Sequence, residues 1–167
     1  LVIKHRSEIL SLIMKSFKSI AVAGSHGKTS TSTLLTTLLD LCTKDTSSIV
    51  GGILPKYESN TIIKNSNYLI AEIDESDGTI STYKPYLGII NNIDFDHCDY
   101  YSNIKELISS FNKFGSNSNI LLTNYDCKIT KDNITSDYKW SIKKTSNVDF
   151  AMIPIENSAA GRVADIH

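Results

Sequence analysis

Lys28 and Thr29 stand directly after a glycine-rich loop, Ala23-Gly24-Ser25-His26-Gly27. Two acid-rich stretches follow at a distance, Asp74-Glu75-Ser76-Asp77 and Asp94-Phe95-Asp96-His97-Cys98-Asp99. Together these residue types can bind a polyphosphate and its metal. Glycines let the backbone curl close to an anion, backbone N–H groups point at it, a lysine adds a positive charge, and a threonine hydroxyl can ligate Mg²⁺. Gly24, Ser25, His26, Gly27, Lys28, Thr29 and Ser30 therefore form the candidate nucleotide-binding loop, with Lys28 a candidate catalytic group. The spacing is unusual, because Val22 stands where the standard Gly-x-x-x-x-Gly-Lys-[Ser/Thr] pattern puts its first glycine. A plain glycine turn with a lysine at a helix start is the alternative.

A Mg²⁺ ion takes hard oxygen ligands and keeps several waters. Thr29 and one acid past the second strand meet that need, with Glu75 the first choice and Asp74 and Asp77 the alternatives. His97 is a further candidate metal ligand and catalytic residue, although Mg²⁺ accepts an imidazole nitrogen less readily than oxygen. His26, inside the loop, can fix its shape or touch phosphate.

The surrounding elements must bring these residues together. The apolar run Ser19-Ile20-Ala21-Val22-Ala23 predicts a strand entering the loop. Leu34, Leu35, Leu38, Leu39, Leu41 and Cys42 predict a helix over about residues 28–41, with all six in the core. Apolar runs at 68–73 and 86–90 predict strands that lead straight into the two acidic stretches, and 119–124 a further buried strand. In an open parallel sheet, polar residues past the carboxyl ends of strands line the ligand crevice, so three strand ends converge on the loop. Helices are predicted over 7–17 and 103–114, the latter capped by Ser102 or Asn103, and strands over 46–54 and 138–142. The pair Gly51-Gly52 reads as a sharp turn or a close backbone approach, and the chain between 124 and 138 as loop. The pattern gives an α/β fold, a mostly parallel sheet with helices on both faces.

The chain has 167 residues, enough for one core, and a formal net charge of −1, so phosphate affinity must come from local design and no nucleic acid is expected as a partner. Three cysteines without a C-x-x-C pair fit a reducing cytoplasm and indicate no zinc site. No apolar run approaches the ~18 residues of a membrane span. The N-terminus begins without methionine and reads as cut from something longer.

Residues 21–29, 69–77 and 91–99, in that order and spacing, resemble the ATP-binding central domain of the Mur ligases, over roughly residues 3–135. The resemblance accounts for Val22, since the family uses the shortened loop. It implies a P-loop NTPase-like fold with ATP and Mg²⁺ as cofactors. It also implies that Lys28 contacts the β- and γ-phosphates, that Thr29 and Glu75 bind one Mg²⁺, and that His97 helps hold a second. Family members join an amino acid to a nucleotide-linked carboxylate in peptidoglycan synthesis through an acyl phosphate. The nearest pattern implies UDP-N-acetylmuramate and L-alanine as substrates of the full-length cytoplasmic enzyme, with an N-terminal and a C-terminal domain missing here.

Residues 149–167 instead resemble a segment of prephenate dehydratase, carried by Glu156-Asn157-Ser158 followed by Gly161. By pattern, Phe150-Ala151-Met152-Ile153 is a short strand broken by Pro154, then a turn and the start of a helix. The expected organisation is a leading segment and helix over 1–17, the truncated ATP-binding domain over 18–145, and a tail of different origin over 146–167. A stand-alone phosphate-loop ATPase or kinase, a non-catalytic nucleotide-binding module and a dehydratase fragment are the rival readings.

Overall fold

The computed structural model describes residues 3–42, 45–95, 100–143, 145–158 and 161–166. Helix α1 (Arg6–Met14) leads into strand β1 (Lys18–Ala23), and the glycine loop joins β1 to α2 (Lys28–Leu41). Strands β2 (Ser47–Leu54), β3 (Ser59–Ile62) and β4 (Tyr68–Glu72) follow, then a 3₁₀ turn at Thr79–Thr82 and β5 (Leu87–Ile90). The chain continues through α3 (Ile104–Asn117), β6 (Ile120–Asn124), α4 (Lys128–Asn133), β7 (Tyr138–Ser141), β8 (Phe150–Ser158) and β9 (Gly161–Ile166).

The strands lie in the order β3-β2-β4-β1-β5-β6-β7-β8-β9. From β2 to β8 every neighbouring pair is parallel, while β3 and β9 run antiparallel at the two ends. β1 sits at the centre, where the chain first builds β2, β3 and β4 on one side and then crosses to β5 on the other. That is the switch point at which such sheets open a ligand crevice. The register aligns the strand ends: Val22 lies opposite Glu72, and Ala23 opposite Ile90.

One face of the sheet is covered by α1 and α3. Met14, Leu107, Phe111 and Phe114 bury themselves on Ala21, Ala23, Leu69, Ala71, Ile90 and Leu121. α3 is placed there by a period of three to four residues, and Asn103 caps it, its side chain accepting from the amides of Lys105 and Glu106. The other face is covered by α2, which packs on β1, β2 and β4.

Three expectations need correction. The six apolar residues of α2 are not core: Leu34 is 69% exposed, Leu38 57% and Leu41 71%, whereas Ser32 and Thr36 are buried. Those hydroxyls can go inside because each donates to the carbonyl four residues back, Ser32 to Lys28 O and Thr36 to Ser32 O. Their small size lets the helix lie close to the sheet. Second, the stretch between β6 and β7 contains α4, and β3 pairs beside β2, two short elements with little periodicity to announce them. Third, β8 runs on past Pro154 and turns back as β9 instead of opening a helix. The register of that hairpin shifts between Pro154 and Glu156, the kind of irregularity at which a residue without an N–H fits a ladder.

Candidate phosphate and metal site

The loop between β1 and α2 adopts a backbone that only glycine takes without strain: Gly24 has φ 138° and Gly27 φ 77°. A Cβ on Gly24 would also lie 3.0 Å from the carbonyl oxygen of Asn92. The residues after β5 hold the loop from behind. Ser25 N–H donates to Asn92 O, His26 N–H donates to Asn92 Oδ1 at 2.8 Å, and Asn92 Nδ2 donates to His26 O at 3.0 Å. The Ser25 hydroxyl donates to Asp94 O and accepts from Asp94 N–H, both at 2.9 Å. Asn91 Nδ2 reaches Thr31 Oγ1 at 2.9 Å. The His26 ring is exposed, its Nε2 3.7 Å from Asp94 Oδ2.

With the amides of Ser25 and His26 engaged behind the loop, the first turn of α2 supplies the N–H groups that face forward. Gly27 takes the capping position without a side-chain hydrogen bond to the helix, and the amides of Lys28, Thr29 and Ser30 precede any residue that could accept them within α2. An uncapped helix start with its positive dipole end is an anion site.

Two carboxylates divide the loop's side chains between them. Thr29 Oγ1 donates to Glu72 Oε1 at 2.9 Å, and the other Glu72 oxygen accepts from Gly51 N–H at 2.6 Å. The glycine pair of β2 is thus a close approach inside a strand. A Cβ at Gly51 would stand 2.9 Å from Glu72 Oε1, and one at Gly52 2.8 Å from Thr29 Cγ2. Lys28 Nζ donates to Gly24 O at 2.7 Å and to Glu75 Oε1 at 3.1 Å, with Glu75 Oε2 at 3.0 Å. Glu75 is buried, and that burial pushes its carboxyl up from the ordinary value while Lys28 opposes the shift.

The remaining acids face away from the loop threonine. Asp74 accepts from Arg6 Nη2 at 2.8 Å and from both the amide and hydroxyl of Ser76. Burial pushes its carboxyl up, but Ser76, Lys28 and Arg6 outweigh that and hold it below the usual value. Asp77 caps the 3₁₀ turn through the amide and hydroxyl of Thr79. Asp96 and His97, expected at the same edge, lie outside the described residues.

Of the expected pair Thr29 and Glu75, the structure sets Glu75 against Lys28, and Thr29 against Glu72 instead, an acid that the glycine-loop pattern does not point to. The available signal was a lone acid in the apolar run Leu69-Ile70-Ala71-Glu72-Ile73. The donor set fits Mg²⁺: both groups are hard oxygens, and 2.9 Å is close to the ~3 Å between neighbouring ligands of an octahedral ion with bonds of about 2.1 Å.

A cleft of about 470 Å³ opens beside Lys28 and Glu72, walled by Ile9 and Ile13 of α1 and by Gly51, with Arg6 and Asp74 at its rim. A second, polar cleft lies at the ends of β6 and β7, lined by Tyr125, Asp126, Lys128 and Lys143. No helix among the described residues is long and apolar enough to cross a membrane.

The Mur ligase middle domain family matches residues 22–166. The UDP-N-acetylmuramate–L-alanine ligase of Prochlorococcus marinus subsp. pastoris is 64% identical over 152 residues, 91% of this chain and 32% of that protein. The protein of the same name from Prochlorococcus marinus strain MIT 9313 is 44% identical over 165 residues, 99% of this chain and 34% of its own length. Among solved structures, UDP-N-acetylmuramate-alanine ligase from Thermotoga maritima is similar with a TM-score of 0.75 at 25% identity, covering 87% of this chain and 33% of that one. The chain spans about a third of the length of the curated relatives it matches, and the family match takes in the terminal β8–β9 hairpin. With its shortened loop at the centre of a parallel sheet and the carboxylates of β4 set against it, the chain belongs to the Mur ligase family and carries that family's middle domain.

Proposed function

We propose that this chain is the ATP-binding unit of a ligase that joins L-alanine to UDP-N-acetylmuramate in the cytoplasm. The observation that carries the reading is the Thr29–Glu72 pair beside Lys28 at an uncapped helix start, which offers a polyphosphate and a divalent ion their separate partners at one place. The substrates are proposed from the similarity to the Prochlorococcus relatives.

Lys28 and the first-turn amides of α2 hold the β- and γ-phosphates, while Thr29 and Glu72 are the residues that would hold Mg²⁺. A bound Mg²⁺ supplies charge neutralisation for the phosphoryl group in transfer. Lys28 and Glu72 line the cleft beneath α1, so the γ-phosphate end of the nucleotide faces that cleft and the acceptor carboxylate approaches through it. The nucleoside then extends the other way, toward the cleft at β6 and β7. His97, seven residues past β5 in the sequence, is proposed as a second metal ligand and catalytic residue. The parts of the relatives beyond this chain, an N-terminal and a C-terminal domain, supply the rest of the acceptor and amino-acid sites. The continuous sheet and the reach of the family match support assigning residues 146–167 to this same domain.

Calorimetric titration with Mg²⁺ and a non-hydrolysable ATP analogue tests the reading. Saturable binding is expected for the wild-type chain and its loss, by at least an order of magnitude in Kd, for Lys28→Ala; equal binding by the two proteins would overturn it.

A further inference from the structure

Lys28 is already engaged in this structure. Its ammonium donates to Gly24 O and Glu75 Oε1, and Glu75 Oε2 lies 3.0 Å away as an ion-pair partner. A phosphate arriving at the loop has to take the lysine away from that company.

Glu75 is placed for this by the backbone. Ile73 N–H donates to Val22 O, which carries the line of β4 one residue past its end, and Gly78 N–H donates to Glu75 O, which turns the chain back. The side chain comes to rest under the loop with the residue only 6% exposed. Its Oε2 is shielded from solvent and accepts no hydrogen bond, so within the described residues Lys28 is the cation that balances the buried charge. Thr29 does not depend on Glu75, because its hydroxyl is met by Glu72. The two acids therefore do different work: one completes the threonine site, and the other occupies the lysine.

We propose that Glu75 is a resident counter-ion of the phosphate loop, whose carboxylate competes with nucleotide phosphate for Lys28. This rests on the reading of the loop as a nucleotide site. Binding then exchanges one anionic partner of Lys28 for another, and the buried carboxylate sets how weakly a lone anion is held. Nucleotide succeeds because the helix amides and the metal pair add contacts that Glu75 cannot supply. The competition is independent of metal, which separates it from a role for Glu75 as a metal ligand.

The test is calorimetric titration of the wild-type chain, Glu75→Gln and Glu75→Asp with inorganic tripolyphosphate in the presence of a chelator, and with the ATP analogue with and without Mg²⁺. Glu75→Gln keeps the shape and removes the charge; Glu75→Asp keeps the charge and shortens its reach, so the proposal stays open to test if one variant does not fold. Tripolyphosphate is expected to bind three- to ten-fold tighter to Glu75→Gln than to wild type, with Glu75→Asp between them, and the gain in analogue affinity should persist without Mg²⁺. Unchanged or weaker binding by a folded variant, against a wild type that binds the analogue, overturns the counter-ion while leaving the nucleotide reading intact. Weakening confined to Mg²⁺ would assign Glu75 to the metal instead. If neither wild type nor variant binds the analogue or tripolyphosphate, the nucleotide reading fails and the counter-ion with it.

Discussion

Glu72 and Glu75 stand three residues apart, and one contacts Thr29 while the other contacts Lys28. The difference follows from where β4 ends. Glu72 is the last paired residue, opposite Val22, and its side chain shares the α2 face of the sheet with Ile70 two residues earlier. Glu75 lies past the strand, where the turn to Gly78 redirects it. A one-residue slip of β4 would turn Glu72 to the opposite face of the sheet and away from Thr29, and strand ends are the part of a pattern that sequence defines least sharply. Lys28 and Thr29 were legible because they are adjacent to the glycines that position them, whereas their partners come from another strand. The assignment gives a direct expectation: Glu72→Gln weakens analogue binding on the order of tenfold, about 1.4 kcal/mol, when Mg²⁺ is present and little when it is chelated. Calorimetry at both conditions checks this, and an equal loss without Mg²⁺ would remove Glu72 from the metal site.

At the scale of elements, α2 shows how the loop governs its own helix. Thr29 has to face β4 to meet Glu72, and residues three and seven positions on, Ser32 and Thr36, are then turned to the sheet with it. The leucines at 34, 38 and 41 fall on the opposite side. Hydrophobic periodicity alone chooses the apolar stripe for burial, but here the phosphate site fixes the rotation of the helix and hydroxyls satisfied within the helix fill the contact. The far end of α2 is tied to the β2–β3 hairpin by Asp40, which accepts from Lys56 Nζ and Tyr57 Oη at 2.5 Å each and from Lys64 Nζ. Lys56 first, then Lys64 and Tyr57, hold the Asp40 carboxyl well below its ordinary value of 3.8. A carboxyl that ionises more readily folded than unfolded stabilises the fold above the unfolded value and loses that contribution as pH falls through the folded one. The melting temperature of wild type should therefore exceed that of Asp40→Asn by a constant margin above about pH 5, and the margin should shrink as the pH falls through 3.8 and below. A margin that widens on acidification would contradict the clasp.

For the molecule as a whole, stability is concentrated on the face shared by α1, α3 and the central strands, while the opposite face is organised around the site. Phe111 is fully buried in that core and Leu38 is 57% exposed on α2. Phe111→Ala should cost about 3–5 kcal/mol in denaturant unfolding, whereas Leu38→Ala should cost less than about 1 kcal/mol, although by helical pattern both are core residues. Similar losses would mean that the leucine stripe is covered in solution. The fold class, the parallel central strands, α3 with its Asn103 cap and the phosphate loop were legible in the sequence, because each rests on contacts between near neighbours: periodicity, a capping side chain, glycines beside a lysine. The rotation of α2, the passage of β8 through Pro154 and the contacts of Glu72 with Thr29 and of Glu75 with Lys28 were decided only by the tertiary structure. Each depends on how a residue meets a strand or helix distant in the chain, and a side chain's partner across a sheet is set by register and pleat, which no local pattern records.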